Sequence, residues 1–428
     1  MNLLYRAVIT LWKWGGAFVL SHIISLFYTN KQCYYDTKNT NGNENINSLL
    51  ALSSFRFPTE LSILSKSGCF RIYSLPYRFQ TLLAHLDNLA YSLLKDTDLL
   101  TIFFSHYARI NNIDGTIGTA LWYKQDIPWG KASESCGIPY IVLHKECFKP
   151  CNLQTNEELH LLRERVGKFS GSLLIVHNQD TRSRYISNGI GDADVVHASG
   201  NIRMDSLVKR DTKQDGYKGS KTVTLFSFTH PAFSYDSVGP FPSNPYLGFV
   251  RLFQRTHVAI AQLALEHPDY RVFIKTKWAD RCFMEILQAL EASSINIDSI
   301  PNLTLTNTEN VHSLILDSDV ICGFQSTTLL EAAICGKCII VPHFDECNYP
   351  EYVERIKLPE SYANYVVATS PEELKHLVHQ NLSNRYLVPT DHMQQRNQYF
   401  ETWVSDLAGT ATEKYVSQIK NVITKNQN

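Results

Sequence analysis

From residue 46 onward, short apolar runs alternate with longer amphipathic stretches, and this pattern predicts strands and helices in turn. In the first half, strands are expected at 46–52, 70–74, 140–143, 172–176 and 194–198, with helices at 59–65, 78–94, 130–136 and 156–167. The stretch 97–125 fits either two further strands or one strand and a short helix. A polar segment, 209–220, reads as a linker between domains, after which the pattern restarts. Strands are then expected at 221–227, 270–275, 303–306, 319–322 and 337–342, and helices at 247–266, 280–292, 309–316 and 326–335. A terminal helix over 393–420 is long enough to cross back over both domains. Alternation of this kind is the mark of parallel α/β organisation. The predicted fold is two Rossmann-like domains with a cleft between them, ligands sitting at the carboxyl ends of strands. The expected divisions are 1–45 (apolar helix and polar linker), 46–215 and 216–392 (the two domains) and 393–428 (the crossing helix).

Composition agrees with this organisation. A chain of 428 residues is too long for one ordinary core and suits two domains of about 200 residues each. Apolar residues make up 44% and charged residues 19%, an ordinary globular balance. The formal net charge of −1 lacks the basic footprint of a duplex-binding protein, so no nucleic-acid partner is expected. Ten cysteines are present, many inside apolar runs such as Val320-Ile-Cys322, where Cys acts as a small hydrophobe. Cys147 and Cys151, like Cys335 and Cys338, lack the second pair or His array that a tetrahedral metal site needs. Neither metal nor other cofactor is expected, and reduced thiols point to a cytoplasmic compartment.

The N-terminus stands apart. Residues 14–28 are largely apolar, preceded by Arg6 and Lys13 and interrupted by Gly15-Gly16 and His22. The run is shorter than the roughly 20 residues that span a bilayer, and no small-x-small cleavage site follows it. Three readings stand: an interfacial helix, a helix packed on the protein itself, or an uncleaved signal anchor. The first would place the protein peripherally on the inner face of the plasma membrane, through residues 1–30.

The sharpest chemical feature is Asp319-Val-Ile-Cys-Gly-Phe-Gln-Ser-Thr-Thr-Leu-Leu-Glu331, followed by a helix end at Gly336 and an apolar run to Pro342. A buried strand ends at Gly323, and Ser326 can cap the next helix, whose amide groups and hydroxyls form an anion site. Glu331 lies one and a half turns along, where a carboxylate can accept hydrogen bonds from ribose hydroxyls. The bland alternative is a well-capped helix after a strand. Lys275-Thr-Lys277 ends another strand with two cations that suit a phosphate, or else form a solvated strand end. His230, before Pro231, reads either as a phosphate contact or as a turn residue, and His312 ranks below it.

This segment resembles the donor-binding half of GT-B glycosyltransferases, especially those that build bacterial surface polysaccharides such as capsule and lipopolysaccharide. Gln325, Ser326, Thr327, Thr328 and Glu331 occupy the positions that hold phosphate and ribose in that group. Ser199-Gly-Asn-Ile-Arg-Met-Asp205 is similar to the end of the N-terminal domain in related enzymes. The resemblance covers roughly 46–380, with one departure: no glycine-rich phosphate loop follows Phe228. It implies a metal-independent transferase that takes a nucleotide sugar, such as a CMP-activated keto-sugar like Kdo. The implied acceptor is a glycan or lipid-linked glycan. The acceptor half must then supply a carboxylate. Asp126, in Tyr123-Lys-Gln-Asp-Ile-Pro-Trp129, is the first candidate, with Trp129 suited to stack on a sugar and a helix-cap role as the bland alternative. Glu146, in His144-Lys-Glu146, is the second, and Arg56 suits an acidic acceptor or donor carboxylate. A UDP-sugar 2-epimerase or CDP-alcohol phosphotransferase of the same fold, and a non-catalytic scaffold, are the rival readings.

Overall fold

The computed structural model describes residues 2–28, 46–94, 98–150, 152–210, 221–228, 248–277, 280–384 and 386–427. The expected linker core (211–220), residues 29–45 of the expected N-terminal polar linker and His230 lie outside the described residues. The chain forms two compact units: Met1–Cys147, Leu162–Val208 and Ala408–Asn428 in the first, Phe148–Leu161 and Lys209–Leu407 in the second.

The first unit carries strands β1 Asn47–Ala51, β2 Phe70–Ser74, β3 Gly115–Gly118, β4 Tyr140–Leu143, β5 Leu173–Val176 and β6 Val196–Ala198. They form one sheet in the order β2-β1-β3-β4-β5-β6, every pair parallel. Parallel strands are covered on both faces, which is why Leu49, Ile117, Ile141 and Leu173 are all buried in one core. The ambiguous stretch resolves into a helix, Asp98–Asn111, and the single strand β3.

The second unit carries β7 Thr222–Phe226, β8 Arg271–Lys275, β9 Leu303–Thr306, β10 Val320–Gly323, β11 Cys338–Pro342 and β12 Val366–Ala368. Its sheet, also all parallel, has the order β12-β11-β10-β7-β8-β9. The expected single terminal helix is two, Thr390–Trp403 and Ala411–Gln427, with a break that includes Gly409 in the left-handed region. The former is fixed to the second unit by the fully buried Arg396, whose guanidinium donates to Asn364 O (2.6 and 3.2 Å) and Lys337 O (3.0 Å). The latter returns to the first unit and places Tyr415, Ile419 and Ile423 in its core.

The N-terminal segment forms helices Asn2–Leu11 and Ala17–Tyr28 around a wider turn at Trp12–Gly16, where Gly15 adopts φ 136°. One side packs on the first unit, with Ile9, Ala17 and Ile24 buried. Trp12 Nε1 donates to Leu99 O (3.1 Å), and Asn111 Nδ2 donates to Ser25 Oγ (2.8 Å). The opposite side leaves Leu11, Trp14 and Leu26 71, 87 and 73% exposed.

Candidate functional site

In the second unit the chain leaves β10 through Phe324 and Gln325, the latter in the left-handed region at φ 51°. Gln325 Oε1 accepts from Lys357 N at 3.2 Å, which holds the turn. Ser326 then caps the helix Thr327–Ile334, its Oγ accepting from Thr328 N at 3.2 Å. Thr327 and Thr328 are half-buried at that end. Gly323 permits the sharp exit: a Cβ there would meet Leu329 Cδ2 at 3.0 Å and Phe226 O at 3.2 Å. Gly323→Ala is therefore expected to destabilise the protein by about 1–3 kcal/mol. A denaturation midpoint equal to wild type would show that the turn relaxes freely.

Further along this helix Glu331 is almost fully buried, with Oε2 3.4 Å from Nε2 of the part-exposed His312. His312 sits on Val311–Asp317, a helix capped by Asn310 Oδ1 accepting from Ser313 N (3.0 Å). The structure thus brings Gln325, Ser326, Thr327, Thr328, Glu331 and the lower-ranked His312 together.

Lys275 departs from expectation. Its Nζ is buried and donates to Thr276 O (2.7 Å) and Asn307 O (3.0 Å), clamping the ends of β8 and β9. Two of the three ammonium donors are spent on carbonyls, so a single one remains for a ligand. Lys277 is exposed. A polar pair missed from the sequence lies nearby: His257 Nε2 is 2.9 Å from Ser227 Oγ, and Nδ1 is 2.6 Å from Phe253 O. A carbonyl accepts only, so Nδ1 carries the proton and Nε2 accepts from the hydroxyl. Burial pushes the His257 pKa down to about 4, which keeps the ring neutral. The only signal was Ser227 at a strand end, since His257 sits 30 residues away inside an amphipathic helix.

In the first unit Asp126 opens the helix Asp126–Ser135 and is 1% exposed. Its Oδ1 accepts from Ser53 Oγ at 2.8 Å, and its buried Oδ2 has no hydrogen-bond partner among the described residues. Ser53 is itself held in the left-handed region (φ 47°), with its N–H on Gln80 Oε1 at 2.9 Å. Burial pushes the Asp126 carboxyl up to about 7, opposed by the Ser53 hydrogen bond and the Arg56 charge. A buried carboxyl tuned to neutrality is suited to exchange protons.

The expected sugar-stacking role of Trp129 is not met. Its ring is fully buried, Nε1 donates to Gln80 O (3.0 Å), and it packs edge-on against Phe103 and Phe104. The cluster His144-Lys-Glu146 also divides. His144 turns inward, Nε2 lying 2.6 Å from Tyr185 Oη, while Lys145 and Glu146 stay half-buried. Asp126 and Glu146 therefore differ in environment, one enclosed and one half-buried. The eight described cysteines are thiols, and burial pushes those of Cys322, Cys338 and Cys347 up.

No family model and no curated relative matches the chain. Among solved structures it is similar to the wall teichoic acid polymerase TagF with CDPG (TM-score 0.52, 12% identity, covering 100% of this chain and 97% of that one). It is also similar to a Listeria monocytogenes protein assigned as a UDP-N-acetylglucosamine 2-epimerase (0.51, 11% identity, 89% and 98% covered). S. aureus MnaA, solved with UDP, matches at 0.50 and 14% identity over 89% and 98% of the two chains. At such identities the likeness establishes the fold, which is the GT-B type: two α/β units, each built on a six-stranded parallel sheet.

Proposed function

We propose that the protein is a metal-independent glycosyltransferase that moves a sugar from a nucleotide-sugar donor to a surface-glycan acceptor. The observation that carries this reading is the Ser326-capped helix with buried Glu331 at the carboxyl end of β10. A helix amino terminus favours phosphate, and a carboxylate one and a half turns on suits ribose hydroxyls. Lys277 adds an exposed cation at the end of β8. MnaA was solved with UDP and TagF with CDPG, which supports a nucleotide-activated substrate on this fold. Asp126 is the proposed general base in the first unit, with Glu146 as the alternative.

A thermal-shift screen against CMP, UDP, GDP and CDP tests the donor half, because a ligand that binds the native state raises its apparent stability by mass action. Absence of any shift would overturn the reading. A preference for CMP would favour a keto-sugar acid such as Kdo as the transferred group. The likeness to a protein assigned as an epimerase favours a second reading, a UDP-sugar 2-epimerase, and the CDPG complex a third, a CDP-alcohol phosphotransferase. Incubation with a UDP-sugar alone discriminates between transferase and epimerase: epimerisation without acceptor would replace transfer by epimerisation. The phosphotransferase reading predicts release of CMP from a CDP-alcohol.

The N-terminal segment supports a peripheral membrane contact. Helical residues Ile9–Leu26 are apolar enough by length and composition to enter a bilayer, yet one side is packed on the protein. The other side presents Leu11, Trp14 and Leu26, with Arg6 and Lys13 exposed beside them. Each such side chain gains about 1.5–3 kcal/mol on burial, and each cation about 1 kcal/mol near an anionic leaflet. The combined substitutions Leu11→Glu, Trp14→Glu and Leu26→Glu are expected to cut binding to vesicles containing anionic phospholipid at least about tenfold. The melting temperature should hold, because these side chains face away from the packed side. Undiminished vesicle binding would sink the proposal. Deleting residues 1–30, by contrast, would strip a packed surface and cannot separate the two roles.

A further inference from the structure

Three cations lie on three separate segments that follow strands at the carboxyl edge of the first sheet. Arg56 follows β1, Lys145 follows β4 and Arg203 follows β6. Lys145 Nζ donates to Arg56 O at 3.0 Å, so the first two are in contact through the backbone. The Arg56 guanidinium is stacked over the rings of Tyr123 (4.1 Å) and Phe55 (4.9 Å), and its buried Nε has no hydrogen-bond partner among the described residues. Arg203 Nε lies 3.7 Å from Glu60 Oε1, too far for a hydrogen bond. Burial lowers the Lys145 pKa; Glu146 and Glu60 oppose this, and Arg56 and Arg203 lie close enough to reinforce it.

Like charges are not gathered in this way without an electrostatic cost. Glu60 and Glu146 offset part of it at Lys145, and the Asp126 carboxyl, with a pKa of about 7, is only partly ionised at neutral pH. The stacking fixes the Arg56 plane, which leaves its remaining N–H groups oriented rather than free to wander. We propose that Arg56, Lys145 and Arg203 bind an oxyanion, a phosphate or a carboxylate, carried by the acceptor. This rests on the reading of the first unit as the acceptor half, and it names the class of acceptor: an anionic glycan or glycan-lipid rather than a neutral one. Arginine suits planar, forked contacts with such groups, and lysine adds a compact charge.

The test uses the full chain and two simple probes, inorganic phosphate and acetate, titrated at ionic strength matched with chloride. Thermal melting and direct calorimetric binding are read for wild type, Lys145→Gln, Arg203→Gln and, as a control in the second unit, Lys277→Gln with Ser326→Ala. Saturable binding of either probe is expected, with half-saturation raised at least about tenfold in Arg203→Gln and in Lys145→Gln but not in the control. Arg203 makes only a long, half-exposed ion pair, so its variant should fold as wild type even if Lys145→Gln does not. Binding of phosphate alone identifies a phosphorylated acceptor, and binding of acetate alone a carboxylated one. Responses no larger than chloride's, or responses lost in the control and kept in Arg203→Gln, overturn the proposal. Neither result depends on nucleotide binding, so failure here is distinct from failure of the donor assignment.

Discussion

Asp126→Asn is expected to lower turnover at least about a hundredfold, the range assigned to acid–base catalysis, with nucleotide affinity unchanged. The substitution keeps volume, and the new amide oxygen can still accept from Ser53 Oγ, as Oδ1 does at 2.8 Å. In wild type a base of pKa about 7 must be ionised to act, so kcat/KM should climb with pH through that value. The same carboxyl leaves a stability signature. Its pKa is raised from 3.8 to about 7 in the native protein, so between these values the native state holds a proton that the unfolded chain has released. Stability must then fall as pH rises across that window, by at most about 1.4 kcal/mol per pH unit. Asp126→Asn should flatten this slope. If the variant stays active while Glu146→Gln is dead, the two carboxylates exchange roles. If both variants stay active, the base lies elsewhere.

Glu331→Ala is expected to weaken nucleotide affinity by about 1.5–3 kcal/mol, the range for hydrogen bonds to a charged group. The informative comparison is between a ribonucleotide and its 2′-deoxy analogue, measured by calorimetry. Wild type should discriminate between them, and the variant should not. Retained discrimination in a folded variant would remove Glu331 from the ribose site. His312, 3.4 Å from Oε2, would lose this carboxylate contact, so His312→Ala with Glu331 intact separates ribose binding from the pair itself.

Much of the architecture was legible because it is local. A parallel strand buried on both faces must be apolar throughout, and β4, β5 and β10 are short apolar runs of that kind. The helix Asp98–Asn111 was not, because Thr101, Ile102, Phe103, Phe104 and Tyr107 are residues that also favour strands. The strand β12 is only three residues long and offers no period to read. The same division runs through the site. Ser326 and Thr328 are two residues apart, so the cap was visible as a cap. Lys275 meets Asn307 only after folding, and nothing around it in the chain signals that its charge is spent on carbonyls. Asp126 lies 73 residues from Ser53, and its enclosure depends on Trp129 turning inward to Gln80 rather than outward to a sugar.

The helix Ala411–Gln427 has a consequence for how the protein is made. Its residues Tyr415, Ile419 and Ile423 complete a core whose other members, such as Leu49 and Ile141, lie hundreds of positions earlier. During synthesis, domains ordinarily fold in the order in which they emerge from the ribosome. Here the unit that is begun first must wait, with part of one apolar face of its sheet uncovered, until the whole of the second unit has been translated. A fragment ending near residue 210 would carry that bare apolar patch permanently, and the protein in the act of emergence carries it for as long as translation of the second unit takes.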